Sequence, residues 1–124
     1  MNETIKKQAL DLCSVLYDKK ARDILAIHVA DKTVLADYFV IASGRAPAQN
    51  KALCDEIEEK APSFGLTLRR RDGYSEGRWI VLDYADILVH IFHPDERRYY
   101  NIERLWDEDN QAINYSRMRE EADG

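Results

Sequence analysis

The chain has 124 residues, of which 45% are hydrophobic and 33% charged, and a net charge of −5. That length fits one domain with one real core, and the acidic balance weighs against nonspecific nucleic-acid binding, which needs Lys and Arg to neutralise phosphates. No apolar run approaches the ~18 residues of a membrane span, and the opening MNETIKKQALDLC has no apolar signal core, so a cytoplasmic protein suited to a basic partner is expected.

The first predicted element is a helix over 3–20, with Ile5, Ala9, Leu12, Cys13 and Leu16 on one buried stripe. A strand over 23–30 follows, with Leu25, Ile27 and Val29 on one face. DYFVIASG (37–44) is almost unbroken in its apolar character, as in a central strand covered on both sides. Gly44 releases the chain into a helix over 46–61, with Pro47 in its first turn and Ala46, Leu53, Cys54, Ile57 and Ala61 inward. LTLRRRDG (66–73) turns polar, which predicts a strand near a sheet edge. WIVLDY and DILVHIF form a hairpin around Tyr84–Ala85–Asp86, and a short helix over 98–106 closes the domain. Residues 1–106 are therefore read as the domain and 107–124 as a polar tail that frays or is disordered. The order αββαβββα predicts an α/β (α+β) fold with a mixed five-stranded sheet flanked by helices.

The chemistry-bearing residues form no convincing catalytic set. Cys13 and Cys54 fall on apolar helix faces without CxxC spacing, which reads as buried, inert thiols. His28, His90 and His93 invite a metal reading, but a strand would send His90 and His93 to opposite faces, and no carboxylate has chelating spacing to them. Ser43–Gly44 is far short of a phosphate-binding loop. Asp83 and Asp86 straddle a turn, and Asp107–Glu108–Asp109 lies in the tail. The run Arg69–Arg70–Arg71 with Arg78 reads as a solvated edge strand, diluted by Asp72 and Glu76. What remains is a group of large amphipathic side chains. Trp79 opens a strand whose same-face neighbours are Val81 and Asp83. Tyr99, Tyr100 and Trp106 follow with Arg97, Arg98, Glu103 and Arg104. Trp, Tyr and Arg dominate binding hot spots. Each aromatic alone could equally cap the core; Ile102, Leu105 and Trp106 are expected to face the sheet.

Three stretches, DYFVIASGR with Gln49, GRWIVLDYADILVHIF and RRYYNIERLW, resemble the ribosomal silencing factor family, also called the Iojap family. They run in the family's order over about 23–106. The chain departs from the family's habit at Asp72 (usually Glu), Ala85 (often Gly), Ala46 (usually Ser) and Pro47. The resemblance implies a nucleotidyltransferase-like fold without that superfamily's catalytic motif, hence no enzyme and no cofactor or metal. It further implies a translational repressor that binds the large ribosomal subunit through its universal protein fourteen and sterically blocks small-subunit joining when nutrients are scarce. On that reading Trp79 anchors the contact with Asp72, Glu76 and Asp83 around it, beside Arg98, Tyr99 and Tyr100. The resemblance also implies homodimers, here using the same face. A divergent nucleotidyltransferase-fold enzyme or nucleotide-binding protein is the alternative.

Overall fold

Helix α1 (Asn2–Asp18) buries Ala9, Leu12, Cys13 and Leu16 completely, as its apolar spacing requires. In the computed structural model, which describes residues 2–123, it packs on one face of a mixed six-stranded sheet. Met1 and Gly124, the outer ends of the expected domain and tail, lie outside the described residues. The strands are β1 (Arg22–His28), β2 (Tyr38–Ser43), β3 (Arg70–Asp72), β4 (Trp79–Asp83), β5 (Ile87–Phe92) and β6 (Ile113–Asn114), in the order β3-β4-β5-β2-β1-β6. Only β2 and β5 pair in parallel; the other neighbours are antiparallel.

Strand β2 is buried at every position, as its unbroken apolar run predicts for a central strand. Strand β1 also buries both faces: Ile24 and Ala26 belong to the larger core under the helices, while Ile27, with Val29 just past the strand's end, joins a smaller one opposite. Helix α2 (Pro47–Lys60) shares the first face and buries Leu53, Cys54 and Ile57. Ala46, expected inward, is instead its exposed N-cap in extended conformation, with no side-chain cap. The buried polar residue of α2 is Asn50, whose Nδ2 donates to the Gly77 carbonyl at 2.8 Å. Its amide lies so close to Gly44 that a Cβ there would collide with Asn50 Oδ1, which fixes glycine at the strand exit.

Three further expectations are corrected. The strand expected over 66–73 pairs only at Arg70–Asp72, although it is the sheet edge anticipated. The helix expected over 98–106 is two, α3 (Pro94–Tyr100) and α4 (Ile102–Trp106). Pro94 and the His93 side chain, which accepts from Asp95 N at 3.1 Å, start α3 early. Asn101 then breaks the run at φ 44°, a left-handed conformation that Asn tolerates.

The tail is structured rather than frayed. Asp107 Oδ1 accepts from the Gln111 and Ala112 amides, turning the chain into β6, which adds a sixth strand beside β1. Helix α5 (Tyr115–Asp123) then buries Tyr115 and Ser116. The register of β1 against β2 shifts between Arg22 and Leu25, and the Ile24 N–H donates to Ser116 Oγ at 2.9 Å, in a buried bond. Arg119 stacks on the Tyr17 ring at 4.5 Å. Two buried residues in a nine-residue helix leave no periodicity to read, which is why composition alone suggested disorder.

Ala46→Ser should supply the absent cap and raise unfolding free energy by about 1 kcal/mol, measured by urea denaturation. Ser116→Ala strands a buried N–H and should lower it by ~1–3 kcal/mol; unchanged stability would mean α5 does not brace β1.

Candidate functional site

The ladder registers decide which predicted residues share a face. Trp79 pairs with Phe92, Val81 with His90 and Asp83 with Leu88. Arg70 pairs with Asp83 and Asp72 with Val81. Since strand side chains alternate, Asp72, Trp79 and Asp83 lie on one sheet face together with Leu88, His90 and Phe92. This is the face opposite α1 and α2. Its smaller core holds Ile27, Val29, Phe39, Ile41 and Phe92, with Trp79, Leu88, Ile102 and Trp106 packed on it half-buried. Trp106 meets the Phe39 ring edge-on at 5.3 Å. Ile102 and Trp106 thus face the sheet as expected, whereas Leu105 does not: it is 66% exposed.

Trp79 is built into this face from below. Its indole stacks on fully buried Phe92 at 4.8 Å, and its Nε1 donates to His90 Nδ1 at 3.2 Å. His90 is buried and stacks on Phe92 in turn, with Phe39 T-shaped against it at 5.0 Å. Burial penalises the imidazolium and lowers the His90 pKa from 6.5 to about 4. A neutral ring is what the indole needs, since an imidazolium nitrogen has no lone pair to accept with.

Above Trp79 the stack continues outward. The Tyr100 ring lies 4.7 Å from the indole, and Tyr99 meets Tyr100 edge-on at 5.0 Å. Tyr99 is 82% exposed and Tyr100 50%. Large apolar groups so exposed, continuous with half-buried Trp79, Val81 and Leu88, mark a surface suited to a partner. The flanking acids are engaged locally: Asp83 Oδ1 accepts from Ala85 N at 2.8 Å and Asp72 pairs with Arg70 at 3.0 Å. Glu76 is exposed in the turn between β3 and β4. Arg98 is exposed and bound to Asp95 at 2.6 Å.

Composition and motif reasoning missed His90 as the support of Trp79 and missed Leu105, Val34 and Leu35 as exposed apolar groups; Val34 and Leu35 are 102% and 64% exposed. The alternation in ILVHIF holds the first signal, because it sets His90 on the same side as Leu88 and Phe92. Lys32 Nζ donates to the Trp106 carbonyl at 2.8 Å and so ties the Val34–Leu35 loop to α4.

The three histidines are dispersed. His28 is exposed against Tyr38, His90 is buried, and His93 is not on a strand at all, since β5 ends at Phe92 and His93 caps α3. Among the described residues no group of three or more His, Cys, Asp or Glu could hold a metal ion. Burial pushes both cysteine thiols up to about 12, leaving them un-ionised and weakly nucleophilic. The basic run is a solvated edge in part: Arg69 and Arg70 are exposed, whereas Arg71 bonds Glu58 at 2.9 Å and lies over the Tyr74 ring, and Arg78 bonds Glu96. No described helix is long and apolar enough to cross a membrane.

Comparison with known proteins gives a concordant result. Residues 2–124 match the family described as "Ribosomal silencing factor during starvation". The ribosomal silencing factor of Bacillus subtilis is 41% identical over 107 residues, which cover 86% of this chain and 88% of that protein. Its counterpart from Halalkalibacterium halodurans is 39% identical over 89 residues, 72% of this chain and 76% of that one. A crystal structure of a Chromobacterium violaceum protein superimposes with a TM-score of 0.76 at 31% identity, covering 85% of each chain.

His90 yields a pH test. Its folded pKa of about 4 lies below the unfolded 6.5, so its contribution to stability is whole above pH 6.5 and is lost as pH falls toward 4. Between those values wild-type stability should fall relative to His90→Gln by up to about 1.4 kcal/mol per pH unit, read as the difference between their urea-unfolding curves. Parallel pH profiles would contradict a buried neutral imidazole.

Proposed function

The chain belongs to the ribosomal silencing factor family, and we propose that it represses translation by occupying the large ribosomal subunit at its universal protein fourteen. Regulation of translation at the ribosome follows from the family. The finer reading is that the second sheet face docks there and its bulk keeps the small subunit from joining, notably when nutrients are limiting. The mechanism is occupancy, with affinity and volume as its only requirements and no chemical step. Work in the cytoplasm accords with it.

The observation that carries this reading is the outward aromatic stack Phe92–Trp79–Tyr100–Tyr99. Aromatic anchors placed centrally in a patch carry most of the energy of an interface. Trp79 and Tyr100 supply rigid apolar area, and Tyr99 stands free to enter a recess. Asp72, Glu76 and Asp83 form an acidic rim against a basic ribosomal surface, which speeds encounter and sets orientation. Arg98 stands at the other border. In the free protein the same patch is available to a second copy, so a homodimer and the ribosome compete for one surface.

Trp79 is a poor residue for testing this, because its removal leaves His90 Nδ1 without its donor. Tyr99 and Tyr100 are exposed, so replacing both with Ala should preserve the fold while weakening cosedimentation with large subunits by about 2 kcal/mol or more. Wild-type affinity in the double variant would remove the patch from the interface. Dimerisation should appear in sedimentation velocity as a concentration-dependent shift that the same variant suppresses.

A further inference from the structure

A cleft of about 650 Å³ lies where the two parallel strands end, lined by Arg22, Asp23, Ser43, Arg97, Arg98 and Glu103 among others. Trp79, Tyr99 and Tyr100 do not line it. Ser43 and Phe92 are register partners at the carboxyl ends of β2 and β5, and α3 begins directly beyond β5. In open sheets the crevice outside the carboxyl ends of parallel strands is the favoured place for a ligand.

The cleft is organised around Arg97. Its guanidinium is buried yet braced on two sides: Nε donates to Glu103 Oε2 at 2.9 Å and Nη1 to Ser43 Oγ at 2.9 Å. Among the described residues Nη2 has no hydrogen-bond partner, leaving it for whatever fills the cleft. Ser43, which the sequence placed at the start of a weak phosphate-loop candidate, therefore acts by holding an arginine rather than by cradling a phosphate. Arg98 and Arg22 stand at the rim, exposed, and Arg22 makes no ion pair among the described residues. Arg22 and Asp23 sit on the bulged start of β1, where Asp23 takes φ 51°, a conformation that costs a non-glycine residue and is retained only where neighbours enforce it. Three arginines thus line one cleft in a protein whose net charge is −5, with Arg98 also paired to Asp95. An arginine fixed by packing is a preorganised donor for an oxyanion.

The wall also carries acceptors. Glu103 Oε1 is buried without a hydrogen-bond partner, and Asp23 lies across the cleft lining. A bare anion would leave Glu103 Oε1 and the Asp23 carboxylate unanswered and partly repelled. A ligand with an oxyanion at one end and hydroxyl donors at the other answers both sets of groups, and the cleft is larger than a lone phosphate. We propose that this cleft binds a hydroxylated phosphate monoester, its phosphate on Arg22, Arg97 and Arg98 and its hydroxyls on Glu103 and Asp23. The proposal shares Arg98 with the ribosome-docking reading but needs none of its aromatic residues.

The full chain, ¹⁵N-labelled, is titrated at constant ionic strength with ribose 5-phosphate, inorganic phosphate and ribose, following the Arg97 Nε–Hε resonance and the amides of Arg22, Ser43 and Asn101. The expected result is saturable movement of these signals with ribose 5-phosphate, weaker binding of phosphate, and none of ribose. Arg22→Ala, an exposed change that leaves the fold intact, should weaken ribose 5-phosphate by about tenfold or more, as expected for losing a charged hydrogen-bond donor. Absence of saturable shifts, or equal affinity in Arg22→Ala, overturns the site. Phosphate binding as tightly as ribose 5-phosphate overturns the hydroxylated class.

Discussion

On adjacent strands, an indole with a single N–H donor meets an imidazole that burial keeps neutral near pH 7, and the second sheet face is arranged around that contact. The hydrogen bond from Trp79 to His90 satisfies the only polar atom of the indole and one of two on the imidazole. Phe92 lies beneath both rings and is itself fully buried. The rings of Trp79, His90 and Phe92 therefore form one packed group. Tyr100 rests on the outer side of the indole, so a rigid apolar column runs from the core to the solvent. A surface aromatic with such footing has surrendered its rotamer freedom before any partner arrives, and so loses less on binding.

The two faces of the sheet divide the labour. Helices α1 and α2 seal the first face with aliphatic side chains, which gives the domain its main core. The second face is covered only in part, by two short helices and a loop, and these covering elements carry exposed Tyr99, Tyr100, Leu105, Val34 and Leu35. The same parallel strand pair that supports this face also ends in the arginine-lined cleft, so one framework presents an apolar surface and, separately, a charged recess. The last helix serves the framework: by adding β6 and giving Ser116 to Ile24, it closes the edge beside β1 that a domain ending at Trp106 would leave open.

How far this could be read in advance depended on the range of the interaction concerned. The apolar stripe of α1, the double-sided burial of β2 and the β4–β5 hairpin are local patterns, and the structure has all three. Period-two alternation from Trp79 also put Val81 and Asp83 beside it correctly. The sixth strand was not legible, because it contains two residues, Ile113 and Asn114, paired with Ala26 and Leu25 through the ladder rather than marked by an apolar pattern. Leu105 was assigned inward on helical spacing that ran across Asn101, where the helix in fact breaks and restarts with a new phase. Ala46 was taken as apolar and inward, yet its position just before Pro47 makes it a cap. The helix therefore starts without a side-chain cap. Ala85 takes φ 72°, a conformation that glycine adopts more readily. The stacking of Tyr100 on Trp79 needed three-dimensional neighbours to emerge, because nothing in RRYYNIERLW distinguishes a tyrosine stacked on a half-buried tryptophan from one that merely fills space.

The account's central claim is that the second sheet face, and not the helical face, meets the ribosome. A photoreactive phenylalanine analogue at position 99, on the second face, or at position 59, exposed on α2, tests it in one experiment. Irradiated in lysate with intact ribosomes, the position 99 protein should crosslink to a protein of the large subunit and the position 59 protein should not. Crosslinking from position 59 with none from position 99 would contradict the account.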